Sequence, residues 1–217
     1  RLTSEGRAWH PAVAPDGASV AYVRAPQAED GLAELWSMAL DTGEARLLLR
    51  QAAPWGPPVW SPDGSRLAWP TAEGVALLDA AGALVQTLAL APLGMDILPP
   101  TWSGDGGLLY QAGQREGAFG VWMLEPGAEP RLAAALDPAL PLAMAPAPKS
   151  GVTLWSGGEL RHLGDEEPMV PVPERVGAPA ALAWSENGER LALLDASGAL
   201  WISEAGSIAE KPILTAS

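Results

Sequence analysis

A seven-residue phrase recurs along the chain and constrains the fold more than any other feature. PVWSPDG at 58–64 returns as PTWSGDG at 100–106, and related copies stand at 11–17 (PAVAPDG), 145–150 (APAPKS) and 182–188 (LAWSENG). Counted from the third turn residue of each copy, the spacings are 47, 42, 44 and 38 residues for Asp16, Asp63, Asp105, Lys149 and Asn187. A period of about 43 residues is typical of a four-stranded propeller blade. The fold class is therefore predicted to be all-β, a β-propeller of five antiparallel blades.

Each copy of the phrase has the chemistry of a β-hairpin. A proline opens a short apolar strand, and Ser61-Pro62-Asp63-Gly64 then bends the chain, because Pro presets φ, Asp bonds nearby N–H groups and Gly accepts a positive φ. A second strand follows (SRLAW, GLLYQ), and third and fourth strands complete the repeat, as in LWSMAL and EARLLL of the first copy. In the fifth repeat KPILT at 211–215 is the predicted fourth strand. The fourth repeat is degenerate, and VTLWS, ELRHL and PMVPVP fit its strands only loosely.

The repeat unit resembles the WD40-like propeller repeat of TolB-type proteins over nearly the whole chain. P-x-W-S-P-D-G, a strand, a strand ending in D-x-x-G and an RLT-like edge strand carry the resemblance, while the Gly-His and Trp-Asp pairs of true WD repeats are missing. The resemblance implies a single propeller domain over 1–217, with repeats at about 9–50, 55–91, 95–137, 140–176 and 179–217. It also implies protein partners and an extracytoplasmic setting, either periplasmic or at the cell surface.

Composition agrees with a packed β-protein. Gly 24 and Pro 22 fall at the predicted turns, and a hydrophobic fraction of 48% argues against disorder. Six of the ten tryptophans recur at equivalent strand positions and are predicted to form the core between blades: Trp36, Trp60, Trp102, Trp122, Trp184 and Trp201. The formal net charge of −13 repels phosphate backbones, which excludes nucleic acid as a favoured partner.

Membrane and cysteine chemistry find no support in this sequence. The longest uncharged run, at 80–95, has 16 residues including Gln86 and Pro92, too short and too polar to span a bilayer. With no cysteine, disulfides, thiolate metal sites and a cysteine nucleophile are excluded. The opening RLT resembles an edge strand that finishes a preceding blade. Two readings stay open: a fragment of a ring of six or more blades, or a complete five-bladed ring.

No motif for catalysis or metal binding is recognisable, so we expect no enzyme activity within this chain, no cofactor and no metal. The G-x-S-x-G elbow of a serine hydrolase is missing, and His10 and His162 are interpreted as structural or solvent-facing. The acidic run 165–167 matches no calcium loop. The first strands contain no acid, which argues against a glycosidase built around the central channel.

Candidate binding residues lie instead on one predicted loop face. The loops from second to third strands, and from fourth strands to the next blade, share one face of a propeller, and loops on a rigid scaffold concentrate binding residues. Two long loops are predicted there, at 25–31 and 111–120. The candidates are Trp9, His10, Trp55, Met95, Asp96, Arg115, Glu116 and Phe119. An alternative for Trp9 and Trp55 is that they fold back over the seams between blades.

Three functions are open on these observations. The first is a non-catalytic propeller scaffold that binds a protein or peptide, as the TolB-like resemblance implies. The second is the gating propeller of a prolyl-oligopeptidase-type serine peptidase whose catalytic domain lies outside this chain. The third is a small-ligand or sugar-binding propeller. The sequence names no partner and does not define the oligomeric state.

Overall fold

The computed structural model of the chain describes residues 8–24, 31–52, 56–71, 73–91, 99–148, 151–164, 170–204, 207–209 and 212–215. Within these ranges there are twenty β-strands and no helix, and the strands form five antiparallel sheets of four. In every sheet the strands follow chain order from one edge to the other. This is the arrangement of blades that the repeat predicts, and each sheet is called a blade below.

The strands of the first three blades follow the repeated phrase closely. Blade one contains β1 (Ala8–Val13), β2 (Ser19–Arg24), β3 (Leu32–Ala39) and β4 (Ala45–Ala52). Blade two contains β5 (Val59–Trp60), β6 (Arg66–Thr71), β7 (Gly74–Asp79) and β8 (Leu84–Ala89). Blade three contains β9 (Thr101–Trp102), β10 (Leu109–Arg115), β11 (Ala118–Leu124) and β12 (Arg131–Ala135).

The degenerate fourth repeat also forms a complete blade. It contains β13 (Leu142–Pro146), β14 (Val152–Ser156), β15 (Glu159–Leu163) and β16 (Val170–Pro171), so the strands assigned loosely from sequence are confirmed. Blade five contains β17 (Pro179–Trp184), β18 (Arg190–Asp195), β19 (Leu200–Glu204) and β20 (Ser207–Ile208).

The predicted fourth strand of blade five, at 211–215, is wrong in position. The chain turns back directly after Glu204, so that Ser203 pairs with Ile208 in the two-residue strand β20. Of the predicted segment, Leu214 forms an isolated bridge to Leu200. The fourth strand is thus divided, because the early turn uses residues 207–208 for pairing and the chain rejoins β19 only at its far end.

The repeated turn is held by a small network of side-chain hydrogen bonds. In blade two the Ser61 hydroxyl accepts a bond from the Arg66 N–H (3.0 Å) and donates to Asp63, whose carboxylate accepts the Ser65 N–H (3.0 Å). Gly64 closes the turn with φ 69°. Blades three and five repeat the network with Asp105 and Asn187 in place of the Asp. The sequence phrase therefore encodes a side-chain-braced hairpin.

Neighbouring blades are joined by shared apolar clusters. We call the face of a blade that meets the next blade in the sequence its trailing face, and the opposite one its leading face. Four clusters each combine one trailing face with one leading face, which accounts for all four seams from blade one to blade five. Buried members at the first seam include Val23 and Leu35 of blade one against Leu67 and Trp69 of blade two. The hydrophobic core of the protein therefore lies between the blades.

The repeated tryptophans at the end of first strands also donate hydrogen bonds across these seams. The indole N–H of Trp60 donates to the carbonyl oxygen of Ala12 (3.1 Å), and that of Trp102 donates to the carbonyl oxygen of Val59 (3.1 Å). Trp184 donates to the hydroxyl of Thr153 (2.9 Å). We call these three residues the seam tryptophans. Their predicted place between blades is confirmed, and each one also satisfies its polar N–H on the preceding blade.

Candidate functional site: the loop face

The antiparallel order of each blade fixes which connections share a face. Loops from second to third strands, and from fourth strands to the next first strand, leave the sheets at one end, and we call this end the loop face. Of the predicted candidates, the structure describes Trp9, His10, Arg115, Glu116 and Phe119. Trp55, Met95 and Asp96 lie outside the described residues, as does most of the predicted loop at 25–31.

Trp9 and His10 sit at a β-bulge near the loop-face end of β1. Trp9 pairs with Val23 and Ala12 pairs with Ala21, so β1 carries one residue more than β2 in this interval. His10 has φ 52°, a left-handed conformation that non-glycine residues rarely adopt. The indole of Trp9 is 48% exposed. A bulge re-aims the side chains beside it, and here it leaves about half of a large aromatic side chain in solvent.

The left-handed backbone at His10 has an energetic cost. A residue held in this region of φ and ψ costs about 1–3 kcal/mol and persists only where surrounding contacts impose it. The following residue, Pro11, has no N–H to place in the strand ladder and is itself exposed. Such outliers concentrate at functional sites, and this one lies beside an exposed tryptophan.

Arg115, Glu116 and Phe119 lie on a β-hairpin, which corrects the predicted loop at 111–120. Strands β10 and β11 continue until only Glu116 and Gly117 remain between them, with φ 53° and 83°. Positive φ at both residues is the mark of a type I′ turn, whose twist matches that of the strands. Gln114 pairs directly with Phe119, and Arg115 pairs with Ala118. The segment is therefore a paired hairpin, because the two-residue turn leaves nothing to form a longer loop.

The charge of Arg115 is directed at neighbouring carboxylates. Its Nε lies 3.3 Å from Oε1 of Glu116, and its Nη2 lies 3.1 Å from Oε2 of Glu129. Phe119 is half-buried. These contacts make Arg115 a poorer interface anchor than the sequence predicts, because both interactions have to be replaced when a partner binds.

The hairpin is fixed across the seam to blade two. Ala91 and Gln114 exchange two backbone hydrogen bonds, of 2.9 and 2.8 Å. Gly113 allows this approach, since a Cβ added there would lie 3.0 Å from the carbonyl oxygen of Ala91. This part of the loop face is therefore a rigid surface, joined to two blades.

A buried carboxylate that the sequence analysis did not single out lies on the same face, in blade five. Asp195 is 3% exposed and accepts hydrogen bonds from the N–H groups of Gly177, Ser197 and Ala199, from the Ser197 hydroxyl and from the indole of Trp201. Burial alone raises the pKa of Asp195, but the hydrogen bonds outweigh it and hold that pKa well below its usual value. With its oxygens occupied by donors, this carboxylate is structural and is not a general base.

The candidates do not converge on one small pocket. Trp9 and His10 belong to blade one, whereas Arg115, Glu116 and Phe119 belong to blade three. His162 lies half-buried in β15, and the acidic run at 165–167 falls outside the described residues. In the part of the chain that is described, no group of three or more His, Asp or Glu side chains is placed to hold a metal ion. The loop face offers an extended surface for contact.

Comparison with known proteins identifies the architecture. No family model matches the sequence, and no curated protein matches it. TolB from Acinetobacter baumannii superposes with a TM-score of 0.59 at 16% sequence identity, covering 97% of this chain and 57% of TolB. The fold is that of a TolB-like β-propeller. The β-propeller domain of the Trilobed protease from Pyrococcus furiosus superposes with a TM-score of 0.55 at 16% identity, covering 97% of this chain and 70% of that domain.

The two matches support the TolB-like propeller fold and leave the function undecided. One is TolB and the other is the propeller of a protease, so the first two functions considered from sequence each have a structural neighbour. The chain spans about 57% of the length of TolB. Activity and partners of this TolB-like propeller have to be argued from its own residues.

Proposed function

We propose that this TolB-like propeller is a non-catalytic interaction module that binds a protein or peptide at its loop face. The observation that carries the proposal is the half-exposed indole of Trp9 beside the left-handed His10 on the bulge of β1. Tryptophan is among the residues most enriched at interface hot spots, because one side chain buries a large area and loses little conformational entropy. The bulge holds this side chain on the rigid rim of a blade.

The charge of the chain narrows the chemistry of the partner. A net charge of −13 favours a partner with a basic binding surface and opposes nucleic acid. On the described part of the loop face, Arg115 is already engaged with Glu116 and Glu129, so the acidic character of the surface is retained there. We therefore propose a peptide or protein segment that combines apolar residues with Lys or Arg.

The setting proposed for this interaction is extracytoplasmic. This rests on the resemblance of the repeat to TolB-type proteins. Among the described residues, no helix is long and apolar enough to cross a membrane.

The proposal is tested by selecting peptides on the wild-type protein and measuring what Trp9 contributes. A phage library of random 12-residue peptides is selected against the immobilised protein, and the strongest binder is titrated by calorimetry. Trp9→Ala is expected to weaken its binding at least tenfold. The control is Val85→Ala, which removes a side chain 55% exposed on β8, outside the loop face. Equal binding by wild type and both variants would contradict the proposal.

The same variants test whether Trp9 instead covers a seam. If Trp9→Ala lowers the melting temperature by several degrees and leaves peptide affinity unchanged, then Trp9 is a packing residue and the proposed site is wrong. A melting temperature close to that of wild type, together with the loss of affinity, supports a binding role.

A second candidate is the gating propeller of a serine peptidase. The structural match to the propeller domain of the Trilobed protease favours it. The catalytic serine would then lie on polypeptide outside residues 1–217. A reading frame that continues into a domain with a G-x-S-x-G elbow would favour this candidate over the interaction module.

A further inference from the structure

The trailing face of blade five differs from the trailing faces of the other blades in being uncovered. Leu194 of β18 is 38% exposed, whereas the residues at the equivalent position in the other blades are all buried, namely Val23, Pro70, Ala112 and Trp155. Its cross-strand neighbour Leu200 is also partly exposed. Ile213 and Leu214, beside Leu200, are 62% and 61% exposed. An apolar face that is an interface in four blades is therefore open in the fifth.

This face keeps the composition of a seam. Alternation along β18 and β19 places Ala192, Leu194, Leu200 and Ile202 on it, and one ion pair, Arg190 with Glu204, lies at the end away from the loop face. Solvent-exposed strand faces of a monomeric protein are normally polar. Here the loop-face half of the surface is wholly apolar, as at the four seams within the chain.

The leading face of blade one is a poor match for it. At the loop-face end of that leading face the cross-strand neighbours Arg24, Glu34 and Arg50 carry charge, with Arg24 over the ring of Trp36 at 4.9 Å and Arg50 paired to Glu34 at 2.6 Å. Stacking blade one on blade five with their loop faces aligned sets these charges against Leu194 and Leu200. Burying charge against an apolar surface is unfavourable.

The first strand of blade one also lacks the seam residue. Val13 occupies the position of the seam tryptophans in the repeated phrase and is 60% exposed. In the described residues, none of the apolar clusters combines blade one with blade five. Direct closure of the ring and head-to-tail contact with a second copy are both disfavoured by these two surfaces.

We propose that the trailing face of blade five is a docking surface for one further four-stranded blade of this chain's own repeat type, carried on polypeptide outside residues 1–217. The four internal seams define what such a blade needs: apolar residues at the loop-face end of its leading face, and a tryptophan at the end of its first strand. The carbonyl oxygen of Ala183 stands at the position at which Ala12 and Val59 accept the indoles of Trp60 and Trp102. Both structural relatives extend beyond the part that this chain matches.

Blade two supplies a probe with the required surface. Its leading face presents Leu67 and Trp69 to the trailing face of blade one, and its first strand ends in Trp60. The experiment appends a second copy of residues 53–98 after Ser217 of the full chain. Backbone hydrogen exchange is then compared between the extended protein and the chain of 1–217, with attention to the amides of Ala192, Leu194, Leu200 and Ile202.

Docking is expected to slow exchange at these four amides at least tenfold and to reduce the binding of a hydrophobic dye. The matched control carries the same extension together with Leu194→Lys and is expected to show neither effect. Without the extension, Leu194→Lys is expected to leave the melting temperature nearly unchanged, whereas Leu193→Lys, at a fully buried site facing blade four, lowers it strongly.

Two results would overturn the proposal. One is unchanged exchange at all four amides in the extended protein, because the proposed face should order a blade of this type. The other is a stable dimer of the chain of 1–217 in sedimentation that Leu194→Lys dissociates, because the face would then belong to a second copy. This test does not involve Trp9 or the loop face, so its failure is distinguishable from failure of the proposed function.

Discussion

The indole N–H of Trp102 in blade three donates a hydrogen bond of 3.1 Å to the carbonyl oxygen of Val59 in blade two. Both residues belong to copies of the same phrase, and Val59 immediately precedes the seam tryptophan of its own blade. One repeated sequence therefore provides the donor of one seam and the acceptor of the next. This explains how five short sheets, none with a core of its own, stabilise one another in series.

Replacing Trp102 tests this coupling between blades. The side chain is 2% exposed, so Trp102→Ala is expected to destabilise the protein by about 3–5 kcal/mol. Trp102→Phe keeps an aromatic ring and removes the donor, and is expected to cost about 1–3 kcal/mol. Urea unfolding at pH 7 measures both. Trp9→Phe, at a half-exposed tryptophan, is the control and should stay within about 0.5 kcal/mol of wild type. Equal losses for the two Phe variants would contradict a special role of the seam.

Gly74 begins β7 at a point where no side chain fits. A Cβ at this residue would lie 1.8 Å from the carbonyl oxygen of Leu88, and its φ is 128°. Gly74→Ala must therefore separate β7 from β8, and we expect a loss of more than about 3 kcal/mol. Gly127→Ala is the matched control, because that glycine also has positive φ but nothing within 4 Å of the added Cβ. Its expected cost is about 1–2 kcal/mol. Thermal unfolding that ranks the two variants in the opposite order would show that the close approach is not real.

The repeat period predicts the fold correctly because its signal is local and is present five times. Pro, Asp and Gly at fixed offsets specify the hairpin, and a tryptophan three residues before the Asp specifies the seam. The candidate site was harder to predict for the same reason. Nothing near His10 marks a left-handed residue, and Glu116-Gly117 reads as part of a flexible loop until the pairing of Gln114 with Phe119 is seen. The network of Asp195 joins residues as far apart as Gly177 and Trp201, a contact that no periodic pattern records.

Asp63 gives the turn of blade two a measurable dependence on pH. Hydrogen bonds from the Ser61 hydroxyl, the Ser65 N–H and the Ser65 hydroxyl lower the pKa of Asp63 to about 2. Because the folded pKa is below the unfolded value of about 3.9, ionised Asp63 stabilises the protein above about pH 4, and this contribution is lost as the pH falls towards 2. The residue is exposed, so the effect is small and decreases with salt.

The comparison that isolates this effect is Asp63→Asn, since Asn187 already fills the same position in blade five and accepts the equivalent N–H from Glu189. The variant is expected to fold normally and to lose less stability than wild type between pH 4 and pH 2. Melting temperatures measured across this range decide the matter, and parallel curves for the two proteins would rule out a contribution from Asp63.

Asp195 is expected to be the carboxylate whose replacement costs most among those described here. One oxygen accepts bonds from Ser197 and Ala199, and the other accepts the N–H of Gly177 (3.2 Å) and the indole of Trp201 (3.0 Å). An amide at this position turns its NH2 group towards donors, so Asp195→Asn leaves at least one buried donor unsatisfied, at a cost of about 2–4 kcal/mol. Asp63→Asn makes the same chemical change at an exposed turn and should cost less than about 1 kcal/mol. Urea unfolding at pH 7 separates them, and an Asp195→Asn protein as stable as Asp63→Asn would mean that solvent reaches the buried donors.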